Sequence, residues 1–164
     1  MRNNVDLQNN LPFFCKFKCD ISCYLYCRTS KRGIAWPMEN MQDSPNVFSG
    51  GKITWIYNWS PYKTDVAGME FAPMLWSTNK GHDGNQFFNQ AKDARVVLGF
   101  NEPERDDQAN MNPVEAARAW KQYIEPLRTQ GARLGSPAIA STDEGLRWMQ
   151  QFLNEFDVFT RLLS

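Results

Sequence analysis

After residue 30 the apolar positions of this chain fall into two alternating textures. Short runs of β-branched and aromatic residues, bounded by Gly or Pro, read as strands. They are RGIAW (32–36), KITWIYNWSP (52–61) after the Gly50-Gly51 turn, EFAPMLW (70–76), RVVLGF (95–100) and ARLGSPA (132–138). RVVLGF is apolar on both faces, the pattern of a buried parallel strand. Longer stretches carry apolar residues at helical spacing. Asp83 with Gln86 forms a capping pair that opens a helix through Phe87, Phe88 and Ala91. Asn112 is an N-cap followed by Pro113 in the first turn and Glu115, and Val114, Ala117, Trp120, Ile124 and Leu127 recur along one face. Pro126 should kink or shorten the end of that helix, and Gly131 should close it. Ser141 and Glu144 cap a last helix with Leu146, Met149, Phe152, Leu153 and Phe156 on one face.

Strands punctuated by helices, with no strand-only run, predict an α/β fold with a parallel sheet. The connection between the second and third strands is too short for a full helix. No Gly-rich phosphate loop follows any strand, so a nucleotide fold has no support.

Composition adds three constraints. At 164 residues and 42% apolar, the chain can bury one domain-sized core. Lys plus Arg equals Asp plus Glu at 18 each, so no bulk charge steers it to nucleic acid or to an anionic membrane. Six Trp, five Tyr and eleven Phe are the marked feature; core filling is the simpler reading for any one of them, although indole and phenol rings also suit sugar faces and interfaces. No apolar run approaches the ~20 residues of a membrane span. Lys16, Lys18 and Asp20 interrupt LPFFCKFKCDISCYLYC, so that segment gives no clean export signal. All four cysteines lie in it, at Cys15, Cys19, Cys23 and Cys27. On a helix this spacing is one stripe that could share a metal, although zinc sites more often use C-x2-C, and disulfides along a stripe strain the backbone. The simpler reading is a compositionally biased leader over residues 1–30, outside a domain spanning 31–164.

Candidate chemistry gathers at the C-terminal ends of the expected strands, where barrel folds place their functional groups. Those ends carry Trp36, Asn58 and Trp59, Trp76, Asn101 and Glu102, and Ser136. Indoles, amides and one carboxyl suit a neutral polyhydroxylated ligand better than a phosphate or a metal. Trp76 could instead plug a barrel. Partial desolvation at the mouth of an apolar strand favours a protonated Glu102, available to a leaving oxygen. The alternative makes Glu102 a helix N-terminal charge or an ion-pair partner of Arg105. Glu104, Asp106 and Asp107 lack the alternation and glycine of a calcium loop. His82 is the only histidine, which argues against multi-histidine metal sites, and no G-x-S-x-G elbow is present.

KRGIAWP, WIYNWSP, EFAPMLW, VLGFNEPE and ARLGSPA…GLRWMQQFL, in that order, resemble successive segments of family 128 of the glycoside hydrolases over about residues 31 to 156. Members are β-1,3-glucanases with a β/α-barrel core, often from cell-wall contexts. The resemblance implies a retaining glycosidase with Glu102 as general acid/base and Asn101 as its neighbour at the sugar. It makes Trp36, Asn58, Trp59 and Trp76 cleft-lining candidates. It implies β-glucan as partner, an extracellular or cell-wall location, and no cofactor. The family nucleophile is a glutamate on a seventh strand, whereas five strands are counted here. The expectation is therefore an incomplete β/α (TIM-type) barrel, a truncated catalytic domain. The alternative function is a non-catalytic glucan-binding or interaction protein.

Overall fold

The computed structural model describes residues 32–37, 44–79 and 82–162. Residues 1–30, which hold the four cysteines and are expected as a leader, and Lys31 lie outside the described residues. Each expected strand is present, with a paired part shorter than its apolar run: β1 (Gly33–Ala35), β2 (Trp55–Tyr57), β3 (Glu70–Phe71), β4 (Val96–Leu98) and β5 (Arg133–Gly135). All pairings are parallel. Gly33, Ile34 and Ala35 face Trp55, Ile56 and Tyr57, while Trp55 and Ile56 face Glu70 and Phe71. Val96, Val97 and Leu98 face Arg133, Leu134 and Gly135.

Pro73 accounts for the brevity of β3, because it has no N–H to give to a ladder. Pairing resumes one residue later. Met74 bridges Leu98, with the Leu98 N–H donating to Pro73 O at 2.9 Å and the Leu75 N–H to Leu98 O at 3.1 Å. Strand order in space thus follows strand order in the chain, β1 to β5. The link from β2 to β3 holds no helix, as its length requires. Gly33 lies where the Trp55 ring passes over the sheet, and any Cβ there would collide with the indole.

Helices follow the later strands. α1 (Gly84–Ala91) opens on Asp83, whose carboxylate accepts the Asn85 N–H at 2.8 Å. α2 (Pro113–Ala119) opens on Asn112, whose Oδ1 accepts the Glu115 N–H at 3.0 Å. Pro126 does not end this helix. The backbone widens into a π segment, Trp120–Ile124, and resumes as α3 (Glu125–Thr129). Proline can neither donate to the carbonyl four residues back nor pack tightly against it. A wider turn just before Pro126 gives that carbonyl room. Gly131, at φ +94°, then turns the chain into β5.

α4 (Asp143–Leu162) departs from its expected register. Its cap is Thr142 rather than Ser141, for Thr142 Oγ1 accepts the Gly145 N–H at 3.1 Å. The buried seam is Gly145, Trp148 and Phe152, flanked by Met149 and Phe156, and Leu146 and Leu153 are 54% and 51% exposed. Trp148 can lie inside because its Nε1–H donates to Met111 O at 2.7 Å. The core sits between β4 and these helices: Val97 and Phe100 meet Phe87, Ala91, Trp120 and Ile124. Edge-to-face contacts run from Phe100 through Trp120 to Phe152, with centroids 6.1 and 5.7 Å apart.

Candidate active site

Parallel strands in sequential order bring their C-terminal ends to one edge of the sheet, and backbone hydrogen bonds join those ends. The Trp36 N–H donates to Tyr57 O at 2.9 Å, and the Met74 N–H to Ser60 O at 3.0 Å. The Asn101 N–H donates to Trp76 O at 3.0 Å, and the Glu102 N–H to Ala138 O at 2.7 Å. Trp76, Asn101 and Glu102 are therefore held side by side. Trp36 follows β1, at the far side of the sheet, with its ring edge-on to Phe48 at 6.1 Å.

Glu102 follows the β4 run at φ +40°, in the left-handed region that side-chain-bearing residues seldom adopt. Its carboxylate is about a third exposed, 36%, and lies 3.7 Å from Arg105 Nε. Arg105 makes its closer contacts to Asp107, at 3.0 and 2.8 Å. Those hydrogen bonds and the Asp107 charge, with a smaller contribution from Glu102, hold the guanidinium above its ordinary range. Arg105 is thus anchored by Asp107 and stands at the edge of the Glu102 carboxylate without enclosing it. Asn101 is half-buried, and its Nδ2 donates to Gln108 Oε1 at 3.0 Å. Glu104 ties the loop to the segment between β5 and the last helix by accepting the Ala140 N–H at 2.6 Å.

Asn58 is 4% exposed and turns away from solvent. Its Nδ2 donates to Tyr62 O at 2.8 Å and Thr64 Oγ1 at 3.0 Å, and its Oδ1 accepts from the Ser60 N–H and Oγ. Both amide hydrogens and both lone pairs are in use, so Asn58 shapes the loop after β2. Trp59, at φ +57°, packs against Tyr57 with centroids 4.8 Å apart. Trp55 and Tyr57 alternate along β2, and with Trp59 just beyond it they form a half-buried aromatic strip. Burial pushes the Tyr57 phenol up from its ordinary pKa. Trp76 is half-buried under the His82 ring, stacked at 4.9 Å and 27°. Tyr57, His82 and Gln108 escaped the reading of strand ends. The alternation in WIYNW points to Tyr57, but nothing in the sequence brings His82 back over Trp76.

The fold and this edge define a class: parallel α/β proteins that present a carboxyl, an amide and aromatic faces together. The chain belongs to the glycosyl hydrolase catalytic core family, whose model matches residues 33–160. It is 36% identical over 135 residues to alkali-sensitive linkage protein 1 of Schizosaccharomyces pombe, covering 77% of this chain and 24% of that protein. Among solved structures it resembles a subgroup III GH128 curdlan-specific exo-β-1,3-glucanase from Blastomyces gilchristii, solved with glucose. That match has a TM-score of 0.65 and 35% identity over 79% of this chain and 56% of that one. A subgroup VI GH128 exo-β-1,3-glucanase from Aureobasidium namibiae matches with a TM-score of 0.65 and 29% identity, over 79% and 54%. A subgroup I GH128 endo-β-1,3-glucanase from Amycolatopsis mediterranei, solved with laminaritriose, matches with a TM-score of 0.58 and 28% identity, over 80% and 53%. The chain thus spans about a quarter of the curated relative and just over half of these solved ones.

Proposed function

We propose that this chain carries the proton-donating side of a retaining β-1,3-glucanase site, on five strands of an incomplete β/α barrel that begins near residue 31. The observation that carries the reading is Glu102: a carboxylate held at φ +40° at the end of the apolar run that continues β4 through Phe100, beside Asn101, in a chain of this family. Glu102 is the general acid that protonates the glycosidic oxygen and then the base that activates water. Asn101 lies next to the sugar 2-hydroxyl. Trp76 and Trp59 supply aromatic faces near the reacting sugar, Trp36 one farther along the edge, and Asn58 holds the loop that carries Trp59. β-1,3-Glucan is the substrate class, on the strength of the GH128 relatives, and a cell-wall or extracellular setting fits such a polymer. Among the described residues no helix is long and apolar enough to cross a membrane.

A retaining mechanism needs a second carboxylate about 5–5.5 Å from the first as nucleophile. We assign that role to no described residue, and therefore place turnover with a protein completed to the length of its solved relatives. The test compares the 164-residue chain with such a completed protein on laminarin. The chain alone should bind laminari-oligosaccharides without measurable hydrolysis, and the completed protein should hydrolyse them. Binding with no hydrolysis in either would favour a glucan-binding protein instead.

A further inference from the structure

The loop after β3 has a role that the strand-end chemistry leaves unassigned. Ser77 is fully buried; its Oγ donates to Ala109 O at 3.0 Å and accepts the Asn79 N–H at 2.9 Å. Asn79 Nδ2 donates to Asn110 O at 2.9 Å, and Asn79 O accepts the His82 N–H at 3.1 Å. Asp83 then fixes the start of α1. Ala109 and Asn110 belong to the loop that begins with Glu102, and the Ala109 N–H reaches Asn101 O at 3.3 Å. Asn79 and, through it, the His82 backbone are thereby tied to the loop bearing the carboxylate. On this frame the imidazole lies over the Trp76 indole, 4.9 Å between centroids and 27° between planes. His82 is otherwise exposed, and its partial desolvation lowers the imidazole from its ordinary pKa.

We propose that His82 is a positioning residue: its imidazole fixes the plane in which the Trp76 indole meets a pyranose ring. The role at the sugar rests on the glucan reading above, whereas the fixing of the indole does not. An indole with no ring against it can rotate about its side-chain torsions, and a sugar must then bear the entropy of ordering it.

His82 is the only histidine of the chain, so its imidazole signals in a proton–carbon NMR spectrum are unambiguous. In the intact chain those protons should be displaced upfield by the indole, and Trp76→Phe should reduce the displacement. Laminaritriose titrated by calorimetry should bind His82→Ala about three- to tenfold more weakly than wild type. His82→Phe, which keeps a ring on the indole, should return affinity to within about twofold. An absent upfield displacement overturns the inference outright. So does His82→Ala binding as tightly as wild type or tighter, the result expected if the imidazole merely occupies the place of the sugar, or a failure of His82→Phe to restore affinity. If the wild-type chain binds no laminaritriose while the displacement is present, the glucan reading falls and the fixing of the indole by His82 stands.

Discussion

Glu102 and Trp59 hold left-handed backbones a few residues past the ends of β4 and β2, and neither is Gly or Asn. Such conformations cost roughly 1 kcal/mol each and persist where surrounding bonds impose them. At Glu102 the bond from its N–H to Ala138 O is one such constraint. Replacing Glu102 with Asn, which tolerates this region, should leave stability unchanged or raise it by up to about 1 kcal/mol. Urea unfolding measures this, and a clear loss would show that the glutamate side chain itself supports the fold. Asn58→Ala should behave oppositely. It removes four hydrogen bonds from a buried amide and should cost about 2–3 kcal/mol in the same assay. His82 adds a pH dependence of known sign. Its folded pKa lies below the ordinary value of about 6.5, so the unfolded chain binds the proton first as pH falls. Its contribution is therefore present above that ordinary value and is lost as pH falls from it through the lower folded pKa. Thermal melts at pH 8 and pH 5.5 should show the decline, and His82→Gln should reduce it.

Among the elements, α4 separates what patterning reveals from what it conceals. Thr142 rather than Ser141 accepts the Gly145 N–H, so Thr142→Ala should cost about 1 kcal/mol and Ser141→Ala almost nothing. Trp148→Ala should cost about 3–5 kcal/mol, and Leu153→Ala less than about 0.5, since Leu153 is half-exposed. Differential scanning calorimetry distinguishes these pairs. A hydrophobicity pattern ranks Leu146 and Leu153 as inward because it weighs side chains, not partners. Trp148 is buried because Met111 O satisfies its indole N–H, a contact across 37 positions that no local window contains. The five strands were legible because β-branched and aromatic runs between Gly and Pro have one natural conformation. Their short ladders were less so, since Pro73 interrupts pairing without changing the apolar pattern. Asn58 and Asn101 posed a different difficulty. An amide at a strand end serves equally well to bind a ligand or to brace a loop, and only the hydrogen bonds to Ser60, Tyr62 and Thr64 reveal which Asn58 does.

For the molecule as a whole, the sequential parallel order gathers the C-terminal strand ends along one edge of the sheet. Among the described residues β1 and β5 each pair on one side only, and Trp55, Tyr57 and Leu98 are half-buried on the sheet. Open parallel edges with aromatic surface invite association. The 164-residue chain purified alone should therefore elute larger than a monomer in size-exclusion chromatography with light scattering, and a sharply melting monomer would argue against this. Proton transfer at Glu102 is read out by how the rate depends on the leaving group. In a protein completed to the length of its solved relatives, Glu102→Gln should lower kcat on laminarin by about 10²–10⁴-fold, the usual scale of general acid catalysis. Laminari-oligosaccharide affinity should stay within about threefold, because Gln keeps the shape of the side chain. With a dinitrophenyl glucoside, whose leaving group needs no proton, the same variant should retain its glycosylation rate in a pre-steady-state burst. Near-normal kcat on laminarin, or equal loss of the glycosylation step on both substrates, would contradict the assignment of Glu102 as the proton donor.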